Sequence, residues 1–258
     1  MISQSLHCLQ QAVLKAGAAV LQIQQADIKI NHKINRDIVT QADLLANDIL
    51  KEQLLAHWPQ AGWLSEESVD DAARLSSKEV WIIDPIDGTK EYAHGIPEYA
   101  ISAALVENGI PVLAAVFNPA ANELFLAERG KGAWLGGERI YCHASTGNQF
   151  LLLASRSEYQ RGEWDVFQQQ HRVQVVGSIA YKLALIAAGK ADATFSLGPK
   201  NEWDIAAGVL LVEEAGGIVT NCDRQTFVFN GKDVLVNGIV ASVASINEQI
   251  FTMLHNLP

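Results

Sequence analysis

The stretch Val80-Trp81-Ile82-Ile83-Asp84-Pro85-Ile86-Asp87-Gly88-Thr89 is the most informative in this 258-residue chain. Its first four residues form a short continuous apolar run, the mark of a strand buried on both faces with structure layered on either side. Two aspartates three residues apart then flank the proline at which that strand is expected to break. Ligands and catalytic groups gather beyond the carboxyl ends of such strands, where the backbone opens into a crevice. Gly88 lets the chain turn closely, and a short helix over 90–93 is expected behind Thr89, its first N–H groups placed to hold a phosphate. The plainer alternative is an Asp-Gly turn with two solvated acids.

Upstream, Leu6, Leu9, Val13, Ala16, Val20 and Ile23 recur at steps of three and four and predict an amphipathic helix. A second helix is predicted over 41–56, stopping before Trp58-Pro59. Downstream, 101–106 and 112–117 read as strands joined by a hairpin at Glu107-Asn108-Gly109-Ile110-Pro111, and 123–127 and 132–135 extend the meander. The polar stretch 144–149 reads as a boundary. Beyond it, predicted strands (150–154, 174–176, 193–195, 218–220) alternate with helices over 179–188 and 205–215, the latter closed by Gly216-Gly217. The expected class is α/β (α+β), with residues 1–145 as a helix-plus-antiparallel-sheet half, 146–258 as an α/β half, and no internal repeat.

Composition narrows the function classes. With 49% hydrophobic and 19% charged residues, the chain is not disordered. Cys8, Cys142 and Cys222 are odd in number and lack C-x-x-C spacing, which excludes a disulfide framework and points to a reducing compartment. No apolar run approaches the roughly 18 residues of a spanning helix. The first eleven residues lack the regions of a signal peptide, so the expected location is the cytoplasm. A formal net charge of −10 is the wrong sign for binding a nucleic-acid polymer.

Other acids stand elsewhere in the chain. Glu66-Glu67 follows Trp63-Leu64-Ser65, Asp43 ends Asp37-Ile38-Val39-Thr40-Gln41-Ala42-Asp43, and Asp204 follows Trp203 where a helix is predicted to begin. Each has an ordinary reading on its own: Glu67 solvated, Asp43 and Asp204 as helix caps. One chemistry is excluded by spacing. Phosphatases that pass through an aspartyl-phosphate need D-x-D-G-T, and the position two before Asp87 is Pro85, which carries no nucleophile.

Taken together, Asp37 to Asp43, Ser65-Glu66-Glu67, Trp81 to Thr89, and Trp203-Asp204-Ile205-Ala206-Ala207-Gly208 through Gly217 carry a resemblance that spans nearly the whole chain. It is to the lithium-sensitive, magnesium-dependent phosphatases that include inositol monophosphatase, fructose-1,6-bisphosphatase and the 3′(2′),5′-bisphosphate nucleotidases. The resemblance implies the layered αβαβα sandwich of that superfamily, with the site between the two halves. It implies one Mg²⁺ on Glu66, Asp84 and the carbonyl of Ile86, a second on Asp84, Asp87 and Asp204, and Glu67 helping to place a third. The −4 of Glu66, Asp84, Asp87 and Asp204 matches the +4 of two ions; without ions the acids repel one another and at least one pKa rises. It further implies in-line attack of water on phosphorus, with Thr89 orienting and deprotonating the water while its hydroxyl donates to Asp43. Glu66 counts with Asp43 and Thr89 among the catalytic residues. Asp87, Gly88, Thr89 and Ser178 would hold the phosphate ester. A homodimer and inhibition by lithium enter through the resemblance alone.

Within the superfamily, Asp87-Gly88-Thr89-Lys90-Glu91-Tyr92 is similar to the D-G-T-K-E-F of the CysQ-type nucleotidases. Gly198-Pro199-Lys200-Asn201-Glu202-Trp203-Asp204 is similar to their G-P-x-N-x-W-D. Seven residues before the W-D aspartate, where inositol monophosphatases carry a Glu that hydrogen-bonds the inositol ring, this chain has Leu197. Gly177-Ser178 keeps the G-S of the substrate loop, but the basic residue, Lys182, follows a tyrosine. Lys182 and Lys200 are candidates to meet the second phosphate of adenosine 3′,5′-bisphosphate, against an ordinary reading as solvated surface lysines. Tyr92 reads as core or rim. The expected activity is removal of the 3′-phosphate from that nucleotide to give AMP. The alternatives are an inositol or sugar phosphate on the same chemistry, and a non-catalytic phosphatase-like scaffold, whose sign would be a lost ligand.

Overall fold

The computed structural model describes residues 2–26, 28–32, 38–144 and 149–256. Asp37 and residues 145–148 of the expected boundary lie outside the described residues. Helix α1 (Gln4–Gln24) starts at Ser3, whose hydroxyl accepts the Leu6 N–H, and Leu6, Leu9, Val13, Ala16 and Val20 of its predicted stripe are buried. Strands β1 (Ile30–His32) and β2 (Ile38–Thr40) pair antiparallel and lead into α2 (Gln41–His57). A seven-stranded sheet follows, built from β3 (Gly62–Ser65), β4 (Glu79–Asp87), β5 (Ala100–Glu107), β6 (Ile110–Asn118), β7 (Glu123–Glu128), β8 (Gly132–Leu135) and β9 (Glu138–Ile140). They lie in that order, all antiparallel except the β3–β4 pair, and α3 (Thr89–Ala93) links β4 to β5.

The remaining elements are β10 (Leu151–Ala154), α4 (Arg156–Gln160), α5 (Asp165–Gln168), β11 (Arg172–Val175), α6 (Ile179–Ala187), β12 (Ala193–Ser196), β13 (Lys200–Asn201), α7 (Glu202–Glu214), β14 (Gly217–Thr220), β15 (Leu235–Val236), β16 (Ile239–Val243) and α8 (Asn247–His255). Five of these strands form a mixed sheet in the order β11-β10-β12-β16-β14.

Alternate residues of β4 separate two cores. Trp81 and Ile83 join Ile101, Leu105 and Phe117 against α1 and α2, while Val80 and Ile82 join Ala104, Val116 and Phe125 on the side of α6 and α7. Each such side chain contributes roughly 1.5–3 kcal/mol by leaving water. Helices α6 and α7 also meet Leu153, Ile239 and Ala241 of the five-stranded sheet. Every residue of α6 is buried, as a helix held between two sheets must be. The far face of the smaller sheet covers Trp164, Phe167, Ile250 and Phe251 around α5 and α8. The layers are thus helices, sheet, helices, sheet, helices, the expected αβαβα sandwich. Among the described residues, no helix is long and apolar enough to cross a membrane.

Most predicted boundaries shift by a residue or two, and three departures from expectation are larger or more consequential. The hairpin between β5 and β6 turns in two residues, Asn108 and Gly109, both with positive φ, so Ile110 and Pro111 belong to β6. Helix α7 begins at Glu202, earlier than the predicted 205. Strand β4 passes through Pro85 instead of breaking there.

Candidate active site

The passage of β4 through Pro85 is what assembles the acids. Asp84 pairs with Ser102 and Asp87 with Ala100, so Pro85 and Ile86 together face the single residue Ile101. In a regular strand, residues three apart point to opposite faces. The extra residue of this bulge puts Asp84 and Asp87 on one side, and a proline is tolerated where the ladder is already interrupted. Both acids line a cavity of about 210 Å³ with Glu66, Asp204, Ile86, Gly88 and Thr89. Glu66 arrives at the end of β3, whose parallel register brings the Glu66 N–H to the Ile83 carbonyl at 3.2 Å.

Two helix first turns complete the site. Asp43, 1% exposed, sits at the third position of α2, where its Oδ2 accepts the Thr40 N–H at 2.8 Å and the Thr40 hydroxyl at 2.6 Å. Its Oδ1 is left for the Thr89 hydroxyl at 3.0 Å. That hydroxyl has a second acceptor at 3.0 Å, the Ile86 carbonyl. Asp204 holds the same third position in α7, accepting the Asn201 N–H at 3.0 Å. Asp43 and Asp204 therefore close helix ends, as their ordinary reading has it, and face the site as well.

Burial and mutual repulsion perturb these acids strongly. Asp84 is 2% exposed, and burial, followed by Glu66, Asp87, Asp204 and Asp43, holds its carboxyl well above the usual range. Asp204 is pushed up to about 8, by burial first and Asp87 next. Asp87 is pushed up to about 6 by burial, although the Ser178 hydroxyl and Ala180 N–H donate to its Oδ2 at 2.6 and 2.7 Å. Burial also raises Asp43 against its bonds from Thr40 and Thr89. The donor set is oxygen only, carboxylates and one carbonyl, which fits a hard divalent cation such as Mg²⁺. Among the described residues, no group of three or more His, Cys, Asp or Glu side chains has by itself the geometry of a formed metal cage. The acids share a cavity and a field without converging on one point.

A second cavity of about 560 Å³ opens from the same wall, sharing Asp87, Gly88 and Asp204. Lys182 lines it and is only 2% exposed, so it is no solvated surface lysine. Burial brings its ammonium down to about 8. Neighbours on a helix diverge by about 100°. Tyr181 accordingly leaves the cavity, its hydroxyl donating to Glu123 at 2.7 Å, while Lys182 enters it. Half-buried Lys200 and buried Ser178 line it too. Ser178, with φ +54, caps α6 by accepting the Tyr181 N–H at 3.0 Å.

Glu67 lines neither cavity, and its N–H donates to the Ser65 hydroxyl at 3.3 Å. Tyr92 is core, its hydroxyl donating to the Val20 carbonyl. Leu197 turns to a separate cavity with Cys222 and Phe251. Several residues at this cavity escaped the sequence reading. Arg156 pairs with Glu91 and Glu98, and Glu98 accepts the Gly177 N–H at 2.9 Å. Ser196 lines the larger cavity, and Glu158 stands behind it. The only sign of Glu158 in the sequence is Ser155-x-x-Glu158, which reads as a helix start.

A model described as the inositol monophosphatase family matches residues 1–257. The inositol-1-monophosphatase of Rhizobium meliloti (strain 1021) is 36% identical over 232 residues, covering 86% of this chain and 86% of that protein. Among solved structures, extragenic suppressor protein suhB from Bartonella henselae matches with a TM-score of 0.86 at 30% identity, over 98% of this chain and 99% of that one. CysQ from Bacteroides thetaiotaomicron, a bacterial member of the same family, matches with a TM-score of 0.75 at 28% identity, over 92% and 96%.

Proposed function

The chain belongs to the inositol monophosphatase family, and on that premise we propose an Mg²⁺-dependent phosphomonoesterase that cleaves adenosine 3′,5′-bisphosphate at its 3′-phosphate, giving AMP and phosphate. The observation that carries the chemistry is the Thr89 hydroxyl, 3.0 Å from a buried Asp43 and on the wall of a cavity that Glu66, Asp84, Asp87 and Asp204 also line. In this reading, Glu66, Asp84 and the Ile86 carbonyl would hold one ion, and Asp84, Asp87 and Asp204 a second. Glu67, off the cavity wall, takes no part. Such ions, when bound, neutralise charge on the phosphate oxygens and make water acidic enough to attack at neutral pH.

The protein's own groups do the rest. Thr40 fixes Asp43, and Asp43 aligns Thr89. Thr89 Oγ1 takes a proton from the attacking water as its own proton passes to Asp43 Oδ1. The raised pKa of that carboxylate suits it to accept. Asp87 and Gly88 line both cavities and Thr89 the smaller one, so the scissile phosphate sits beside them and the leaving group extends toward Lys182 and Lys200.

The substrate reading rests on the larger cavity. With its acids balanced by ions, the charges left lining it are Lys90, Arg156, Lys182 and Lys200 against Glu91, a positive surplus that suits a second phosphate. Inositol 1-phosphate, toward which the name of the Rhizobium relative points, has no second anion. Leu197 offers no acceptor to a ring hydroxyl. Rates of phosphate release are the test. Adenosine 3′,5′-bisphosphate should exceed inositol 1-phosphate by at least about tenfold with Mg²⁺, and neither should react after chelation. Equal or reversed rates overturn the substrate, and hydrolysis without a divalent ion overturns the metal chemistry. No hydrolysis of any phosphate ester would favour a scaffold, although Asp43, Glu66, Asp84, Asp87, Thr89 and Asp204 are all present.

A further inference from the structure

The wall of the larger cavity comes from regions far apart in the sequence. Glu91 and Ile96, from α3 and its link to β5, share it with Arg156, Gly177 and Ser178. Glu98 stands in the same link but lines neither cavity. From behind the wall, its Oε2 accepts the Gly177 N–H at 2.9 Å and a bond from the Arg156 guanidinium. One carboxylate oxygen thus ties the start of α4 and the turn before α6 to the α3–β5 link. The seat is tight. A Cβ on Gly177 would stand 2.5 Å from Cγ of Glu91 and 2.7 Å from the Glu98 carbonyl oxygen, so the turn rests directly on the link.

The next residue, Ser178, has φ +54, a strained conformation that persists only where neighbours hold it. Its hydroxyl donates to Asp87 at 2.6 Å and accepts the Tyr181 N–H at 3.0 Å, while Glu98 holds the residue before it. Arg156 Nε stands 3.4 Å from Glu91 Oε1 yet makes no hydrogen bond among the described residues, so Glu98 is the contact that fixes the guanidinium. The Arg156 and Glu98 side chains are 32% and 26% exposed, and a pair that open to water adds little to stability. A displacement of about 1 Å in groups that position a substrate, by contrast, can cost about a hundredfold in rate. The clasp therefore matters for where it puts the wall. We propose that Glu98 is a positioning residue: it draws the Gly177–Ser178 turn and Arg156 against the α3–β5 link and so fits the larger cavity to a bulky leaving group such as a nucleoside phosphate. This inference rests on the phosphomonoesterase reading above and assigns the residue that shapes the site for the alcohol side of the ester.

The test compares adenosine 3′,5′-bisphosphate with glycerol 2-phosphate, whose leaving group is too small to fill the cavity, on the full chain with saturating Mg²⁺. Glu98→Ala should lower kcat/KM for the nucleotide about tenfold, mostly through KM, and change that for glycerol 2-phosphate by less than about threefold. Glu98→Gln keeps an acceptor for the Gly177 N–H but loses the charge. It should cost the nucleotide about threefold, and it stands in if Glu98→Ala does not fold. Arg156→Ala should act in the same direction by a smaller factor than Glu98→Ala, and the double variant should be no worse than Glu98→Ala alone, since Arg156 is held through Glu98. Equal losses for both substrates, no loss for the nucleotide, or single losses that multiply in the double variant would overturn the inference and leave the nucleotidase reading standing. Failure of that reading is seen separately, in wild type alone, as equal or faster hydrolysis of inositol 1-phosphate, which then takes the nucleotide's place in the comparison.

Discussion

Stripped of divalent ions, the protein should become less stable as pH rises from 5 to 7. A carboxyl whose pKa is higher in the folded state than its unfolded value of 3.8 stabilises the fold fully below pH 3.8, and that contribution is lost as pH rises through the folded pKa. Asp204, at about 8 in the folded protein, loses about 1.36 kcal/mol per pH unit across this window, or about 2.7 kcal/mol. Asp87, at about 6, adds about 1.3 kcal/mol. Part of their repulsion is common to both figures, so the expected loss is about 3 kcal/mol, or about 6 °C in Tm for a chain of this size. Asp84 pulls in the same direction. His171, whose imidazole burial holds below its usual value, opposes more weakly. Asp70, Glu128 and Glu158, all lowered, have finished titrating below pH 5. Thermal melts after chelation, read by circular dichroism at pH 5, 6 and 7, measure the slope. Asp204→Asn should flatten it by more than half, and saturating Mg²⁺ should abolish it, with protons released on binding at pH 7. A chelated protein whose Tm is level or rises between pH 5 and pH 7 would refute the reasoning.

Two further outcomes follow from the geometry. Thr89→Ala should lower kcat by roughly 10²–10⁴ in steady-state assays with Mg²⁺, whereas Thr89→Ser, which keeps the hydroxyl 3.0 Å from Asp43, should stay within about tenfold of wild type. Gly88→Ala should cost about 1–3 kcal/mol in urea denaturation, because Gly88 has φ +95 and a Cβ there would stand 3.1 Å from the Glu98 carbonyl.

Much of this architecture is legible in the sequence. The run from Val80 to Ile83 reads as a strand with two buried faces, and its alternate residues do enter separate cores. The stripe of α1 and the Asn108-Gly109 turn are local patterns that tertiary context did not override. The bulge at Pro85 is different. It exists only relative to the pairing partner, β5, and no property of residues 84–87 alone reports which neighbour they face. The early start of α7 was hidden because Asn201 and Asp204 cap as a pair, so the acid looks like the cap itself. Strand β16, interior to the smaller sheet, is a short and mostly apolar stretch that periodicity does not separate from a helix segment. The burial of Lys182 depends on α6 lying between two sheets, a fact spread over the whole chain. Glu158 is illegible for a related reason, since its partners Trp164 and Ser196 come from elements that only the fold brings together.

The helix-closing duty of Asp43 and Asp204 has a consequence for kinship. A duplicate gene released from selection for hydrolysis, while its product still binds cations, would be held to both acids, because discarding either opens the first turn of α2 or α7 at a cost of about 1 kcal/mol. Retired copies should go on looking like enzymes after the chemistry has gone. In any homologue, those two residues are therefore weak witnesses to a living reaction.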